Sequence, residues 1–189
     1  MKKKLIISII VIAVVAGVAG YFAFRKTDNI HVITRQDPVT GLSIYTNLDY
    51  GFSVAYLNND WEGPVEKLDP DADVYDPAIN AVFASSSTLE VVAVVGYPGD
   101  TQSFNEFATV LDVPYRVVTI GGLPALRYEY VGPINEEGTL YAKTVMLMFK
   151  GLQKGSITMA YQKMFQTESE AKKADISRLE DFVSRITFN

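Results

Sequence analysis

The sequence predicts an α+β domain, an antiparallel β-sheet with helices packed on it, preceded by one N-terminal transmembrane helix. Three observations carry that expectation. The chain opens with an uncharged apolar run of twenty residues, Leu5–Phe24. Segments in the strand period, bounded by Gly, Asn, Asp and Pro, then recur along its length. Finally, two helical stripes each begin with a capping box, Ser103-x-x-Glu106 and Thr167-x-x-Glu170.

At about 1.5 Å rise per residue, the apolar run covers roughly the 30 Å hydrocarbon thickness of a bilayer. Lys2, Lys3 and Lys4 precede it, Arg25 and Lys26 follow, and Tyr21, Phe22 and Phe24 suit the membrane–water interface. A signal peptide cut after Ala19 or Gly20 is the competing reading and would release a secreted form. Continued apolarity through Phe24 favours retention. Residues 1–26 are therefore expected as a signal anchor, single-pass in the cell membrane, with the N-terminus cytoplasmic and the domain extracytoplasmic. Residues 27–41 are polar, contain Pro38 and Gly41, and read as a tether. Residues 42–189 are expected to form the domain.

Composition narrows the function. Apolar residues make up 48% of the chain, enough for a real core, and there is no cysteine. That excludes disulfides, thiolate zinc sites and a thiol nucleophile. The whole chain carries a net charge of −5, but the first 26 residues hold five cations and no acid, which leaves −10 on the rest. Such a domain repels phosphate backbones, so no nucleic-acid partner is expected.

The elements follow in order. Leu42–Thr46 and Phe52–Tyr56 alternate around Asn47, Asp49 and Gly51 and predict a hairpin. Trp61 after it reads as a core plug. Ala81–Ser85 and Leu89–Tyr97 are strands, the second apolar at nearly every position and so expected to be covered on both faces. Ser85, Ser86 and Ser87 read as a turn. Ser103-x-x-Glu106 starts a helix of two to three turns that presents Phe104, Phe107, Ala108 and Leu111. Tyr115–Ile120 and residues 126–131 are strands joined through Gly121 and Gly122, whose freedom at positive φ permits a tight reversal. Residues 140–151 and 156–164 form a further hairpin. From Thr167 onward, Ala171, Ala174, Leu179, Phe182, Val183 and Ile186 recur at helical spacing and predict one long C-terminal helix.

Two short motifs carry a resemblance. The strand Tyr50-Gly51-Phe52-Ser53-Val54-Ala55-Tyr56 followed by Trp61, and the Gly122-Leu123-Pro124-Ala125 turn ahead of a tyrosine-rich strand, are similar to the PsbP-like family. That fold is shared with a Ran-binding nuclear-import factor and with DcrB-type bacterial envelope lipoproteins. Over residues 42–189 the resemblance implies a PsbP-like α/β/α sandwich ending in a long helix, and a partner-binding rather than catalytic role.

Candidate chemistry is sparse. Asp69, Asp71, Asp73 and Asp76 start like a calcium loop, but an EF-hand needs glycine where Val74 stands and glutamate where Asn80 stands. A solvated acidic loop is the plainer account, and calcium is the one ion they suit; no other cofactor is expected. The only histidine, His31, lies in the tether, so no serine has a base beside it. Glu62, Glu66, Glu129, Glu136 and Glu137 are the acids from which a carboxylate pair for glycoside chemistry would have to be drawn. Tyr97, Tyr115, Tyr128, Tyr130, Tyr141 and Tyr161 lie on or beside strands, either bridging core and solvent or forming an aromatic surface for a partner. The function expected is a membrane-anchored, extracytoplasmic, non-enzymatic binding or accessory module, with membrane contact through Leu5–Phe24 and a protein partner. The alternatives are a calcium- or small-ligand-binding envelope protein and, third, a carboxylate-dependent hydrolase.

Overall fold

Buried and less buried residues alternate along β2 (Leu42–Asn47) and β3 (Phe52–Leu57), and the two pair antiparallel as the expected hairpin. Asn47 closes the turn by accepting the Tyr50 backbone N–H at 3.0 Å, and Gly51 supplies φ +66°. The computed structural model describes residues 32–37, 40–68, 79–85, 87–98, 114–135, 137–152 and 155–188. Leu5–Phe24, His31, the four aspartates of the acidic stretch and the helix expected from Ser103 lie outside these residues. Among the described residues no helix is long and apolar enough to cross a membrane.

Among the described residues two antiparallel sheets share one core. In the smaller, β1 (Val32–Gln36) pairs with β2, and the order is β1-β2-β3-β11, with β11 formed by Ile186–Phe188. Residues 32–36 fall in the stretch expected as tether, so strand structure begins before Leu42. The larger sheet has seven strands: β4 (Glu62–Leu68), β5 (Ile79–Ser85), β6 (Glu90–Pro98), β7 (Tyr115–Ile120), β8 (Leu123–Pro133), β9 (Tyr141–Leu152) and β10 (Gly155–Phe165). Their order across it is β4-β5-β6-β10-β9-β8-β7. β4 was not expected, because its Gly63, Pro64 and charges obscure the strand period. The β7–β8 reversal runs through Gly121 and Gly122 at φ +56° and +85°, as the paired glycines predict.

The C-terminal segment corrects the expectation of one long helix. It forms two short helices, α1 (Glu168–Lys172) and α2 (Ser177–Ser184), followed by β11. The capping box is present: the Thr167 hydroxyl accepts the Glu170 N–H at 3.2 Å, and the Glu170 carboxylate accepts the Thr167 N–H at 3.1 Å. Between the helices Asp175 accepts the Ser177 backbone N–H at 2.9 Å and its hydroxyl at 3.0 Å, an Asx turn in the link between them. Ile186, the last residue of the helical stripe, pairs with Val54 instead.

One face of the larger sheet meets the smaller sheet and α2. Tyr45, Phe52, Val54, Tyr56, Phe83, Val92, Leu147, Phe149, Leu179 and Phe182 all lie in this core. Phe83 packs edge-on against Tyr45, Tyr56 and Phe182, and Trp61, 4% exposed, stacks edge-on against Phe182. β6 passes beneath Tyr50 at Gly96, where an added Cβ would lie 2.8 Å from the ring. The opposite face carries Val82, Val91, Ala93, Tyr128, Met146, Met148 and Ala160, also buried. β6 is thus covered on both faces, as its apolar run predicts.

Candidate functional site

A charged residue sits at the start of the most apolar strand. Glu90, first in β6, has a side chain with no exposure to solvent. A buried carboxylate is costly unless it is fully paired, and four donors converge on this one. Tyr161 from β10 donates to Oε1 at 2.9 Å, and the Lys163 ammonium lies 2.9 Å from the same oxygen. Thr88 donates to Oε2 at 2.6 Å, and the Arg178 guanidinium of α2 lies 3.2 Å from it. Burial pushes the carboxyl pKa up, but these hydrogen bonds and the Lys163 charge outweigh it, holding Glu90 below the ordinary carboxylate range. Burial and the facing Glu90 carboxylate push the Tyr161 phenol far up, so it stays a neutral donor.

Arg178 links this network to the surface. Its guanidinium bonds Thr88 Oγ1 and the backbone carbonyl of Asp60, and lies 5.3 Å from the centre of the Trp61 ring. Its Nε is buried with no hydrogen-bond partner. Asp60, Trp61, Ser177, Arg178 and Asp181 line an open cleft of about 320 Å³. Leu89 stands in the turn that leads into Glu90. It is 57% exposed and is the one non-glycine residue with positive φ, +55°, among the described residues. This corner therefore joins the β3–β4 turn, the β5–β6 turn, the end of β10 and the start of α2.

A second network of opposite polarity holds the other side of α2. Arg127 on β8, 6% exposed, forks onto both carboxylate oxygens of Glu180 and donates from Nε to Glu129 at 2.8 Å. Glu129 also receives Arg116 at 3.0 Å and Lys143 at 3.3 Å. Burial raises the Glu129 pKa less than Arg127 and Lys143 lower it.

These contacts decide several sequence candidates. Glu129 is a structural ion-pair partner. Glu62 lies on β4, five strand spacings away, on the order of 24 Å at about 4.8 Å per strand, so the two do not form a carboxylate pair. Glu137 lies in the β8–β9 connection, while the Glu66 side chain and Glu136 are outside what is described. Asp69, Asp71, Asp73 and Asp76 are likewise outside, and no group of three or more potential metal-ligating side chains occurs among the described residues. Ser85 and Ser87 hydrogen-bond each other at 3.3 Å in the expected turn. Tyr128 and Tyr161 are fully buried, Tyr115 is 56% exposed, and Tyr128 and Arg127 lie on opposite faces as alternation predicts. Glu90, Lys163, Arg178 and Leu89 were missed. The signal was there: an acid inside a strand expected to be covered on both faces requires a cation opposite it.

No protein-family model matches the chain, and no curated protein does. Among solved structures it resembles a crystal structure from Bacteroides thetaiotaomicron VPI-5482, at 15% identity and a TM-score of 0.45, over 74% of this chain. The chain spans only 45% of that protein's length. It also resembles the solution structure of cyanobacterial PsbP from Synechocystis sp. PCC 6803, at 13% identity and a TM-score of 0.40, over 88% of this chain and 97% of that one.

Proposed function

We propose that this protein is a membrane-anchored, extracytoplasmic binding module without a catalytic role, which contacts a protein partner at the corner around Leu89 and Arg178. The observation that carries this reading is Leu89. A left-handed backbone costs a bulky residue about 1–2 kcal/mol, and here it presents an apolar side chain to water. Directly behind it, Glu90 is fixed by four donors, so the turn rests on a rigid base. Such a strained, exposed apolar residue, flanked in the chain by Thr88 and Glu90 that both engage Arg178, is suited to anchoring a protein contact. Two carboxylates of the sheet, Glu90 and Glu129, are each engaged by two or more cations, which supports the non-enzymatic part. Leu5–Phe24 supplies the proposed anchor.

A photo-crosslinking residue in place of Leu89, in the full chain in its native membrane, tests this. The expected result is a discrete adduct that is absent when the probe replaces Thr187, which is exposed on β11. Equal labelling at both positions removes the corner as a contact site. Turnover of a hydrolase panel that disappears in Glu129→Gln would replace the binding reading with an enzymatic one.

A further inference from the structure

We infer that two copies of this chain associate edge to edge through β7, in antiparallel pairing about a two-fold axis at Val117. Among the described residues β7 is the last strand of the seven-stranded sheet. All six of its residues pair with β8 without a register shift, so its outer edge offers an unbroken row of backbone groups. Its sequence, Tyr-Arg-Val-Val-Thr-Ile, is rich in β-branched and aromatic residues. Tyr115 and Val117 are 56% and 66% exposed and point to the same face.

The opposite edge of the same sheet shows what β7 lacks. β4 carries Pro64, which has no N–H to donate, and its register with β5 shifts between Glu62 and Val65. Glu62, exposed at its start, adds a charge to it. Proline, bulges and charge are the devices by which edge strands avoid pairing with other chains. β7 has no proline and no shift, and its only charge, Arg116, is engaged by Glu129 at 3.0 Å.

The occupant that fits is a second copy, because the strand complements itself. Residues directly opposite in an antiparallel pair share a face, so Val117 meets Val117 of the second copy, Tyr115 meets its Thr119, and Arg116 meets its Val118. This register covers both exposed apolar side chains. Each guanidinium faces valine and keeps its own Glu129. An axis at Arg116 would oppose the two cations, and an axis at Val118 would leave Tyr115 facing the Gly121 turn.

The chain has no cysteine, so one introduced thiol is unique. In the full-length protein in its own membrane, Val117→Cys should oxidise to a disulfide-linked dimer at least ten times more than Ser184→Cys, which is exposed on α2. Tyr115→Cys and Thr119→Cys chains expressed together should cross-link to each other and not to themselves, which checks the register by a second pair of sites. Equal cross-linking at 117 and 184 overturns the proposal. So does an adduct at 117 with the mass of a different protein, or dimers at 117 without the 115–119 cross-link. Position 117 reports on this association and position 89 on the partner contact, so either can fail alone.

Discussion

Leu89 and Glu90 are chain neighbours with opposite fates, one apolar and exposed, the other charged and buried. Replacing Leu89 with glycine removes the steric cost of φ +55° but adds glycine's entropy cost of roughly 0.5–1 kcal/mol. Leu89→Gly is therefore expected to raise stability by about 0.5–1 kcal/mol, read from the urea midpoint, while weakening capture of the partner. A loss in both would mean that Leu89 serves the fold. Neither environment was legible by pattern, because a hydropathy window averages over one acid in LEVVAVVGY. Only the demand that a buried carboxylate find cations singles out Glu90, and sequence cannot say that they come from β10 and α2.

At the scale of elements, α2 is held by two ion networks of opposite sign. The sheet offers a buried carboxylate, Glu90, to Arg178 and a buried guanidinium, Arg127, to Glu180. Two residues apart on one helix, these partners fix its rotation and direction together. Lysine cannot reproduce the fork onto Glu180 and the Nε contact to Glu129. Arg127→Lys should thus cost about 1–2 kcal/mol, because Glu180 remains partly solvated. Chemical denaturation checks this, and a cycle with Glu180→Gln should show that the two changes are not additive. The helical period showed that this region covers the sheet. It did not show the break, because Ala174 and Ile186 continue the stripe, although Asp175 makes an Asx turn and Ile186 pairs with β3.

For the whole molecule, the lowered carboxylates set the pH response. Glu90 and Glu129 start from an ordinary value of 4.5 and have depressed folded-state values, so their stabilisation is fully present above about pH 4.5 and is lost as pH falls through the folded values. The free energy of unfolding should be level on the neutral side and fall in acid, and pH-dependent urea melts would show it. Glu90→Gln should lose about 2–3 kcal/mol at neutral pH, since Lys163 and Arg178 are 21% and 26% exposed, and should flatten the acid slope. Strand segments were legible from sequence at β2, β3 and β5–β10, by alternation in β2 and β3 and by a continuous apolar run in β6. Their division into two facing sheets was not, because both sheets use the same period and β11 is only three residues long.

The strand β1 sets a length that the tether reading left open. With Leu5–Phe24 in the bilayer as proposed, only residues 25–31 separate the apolar run from the first paired residue, Val32. Seven residues reach at most about 25 Å when fully extended. On so short a leash the domain could reach only partners at or near the same membrane surface, and two anchored copies would meet by lateral diffusion in the plane.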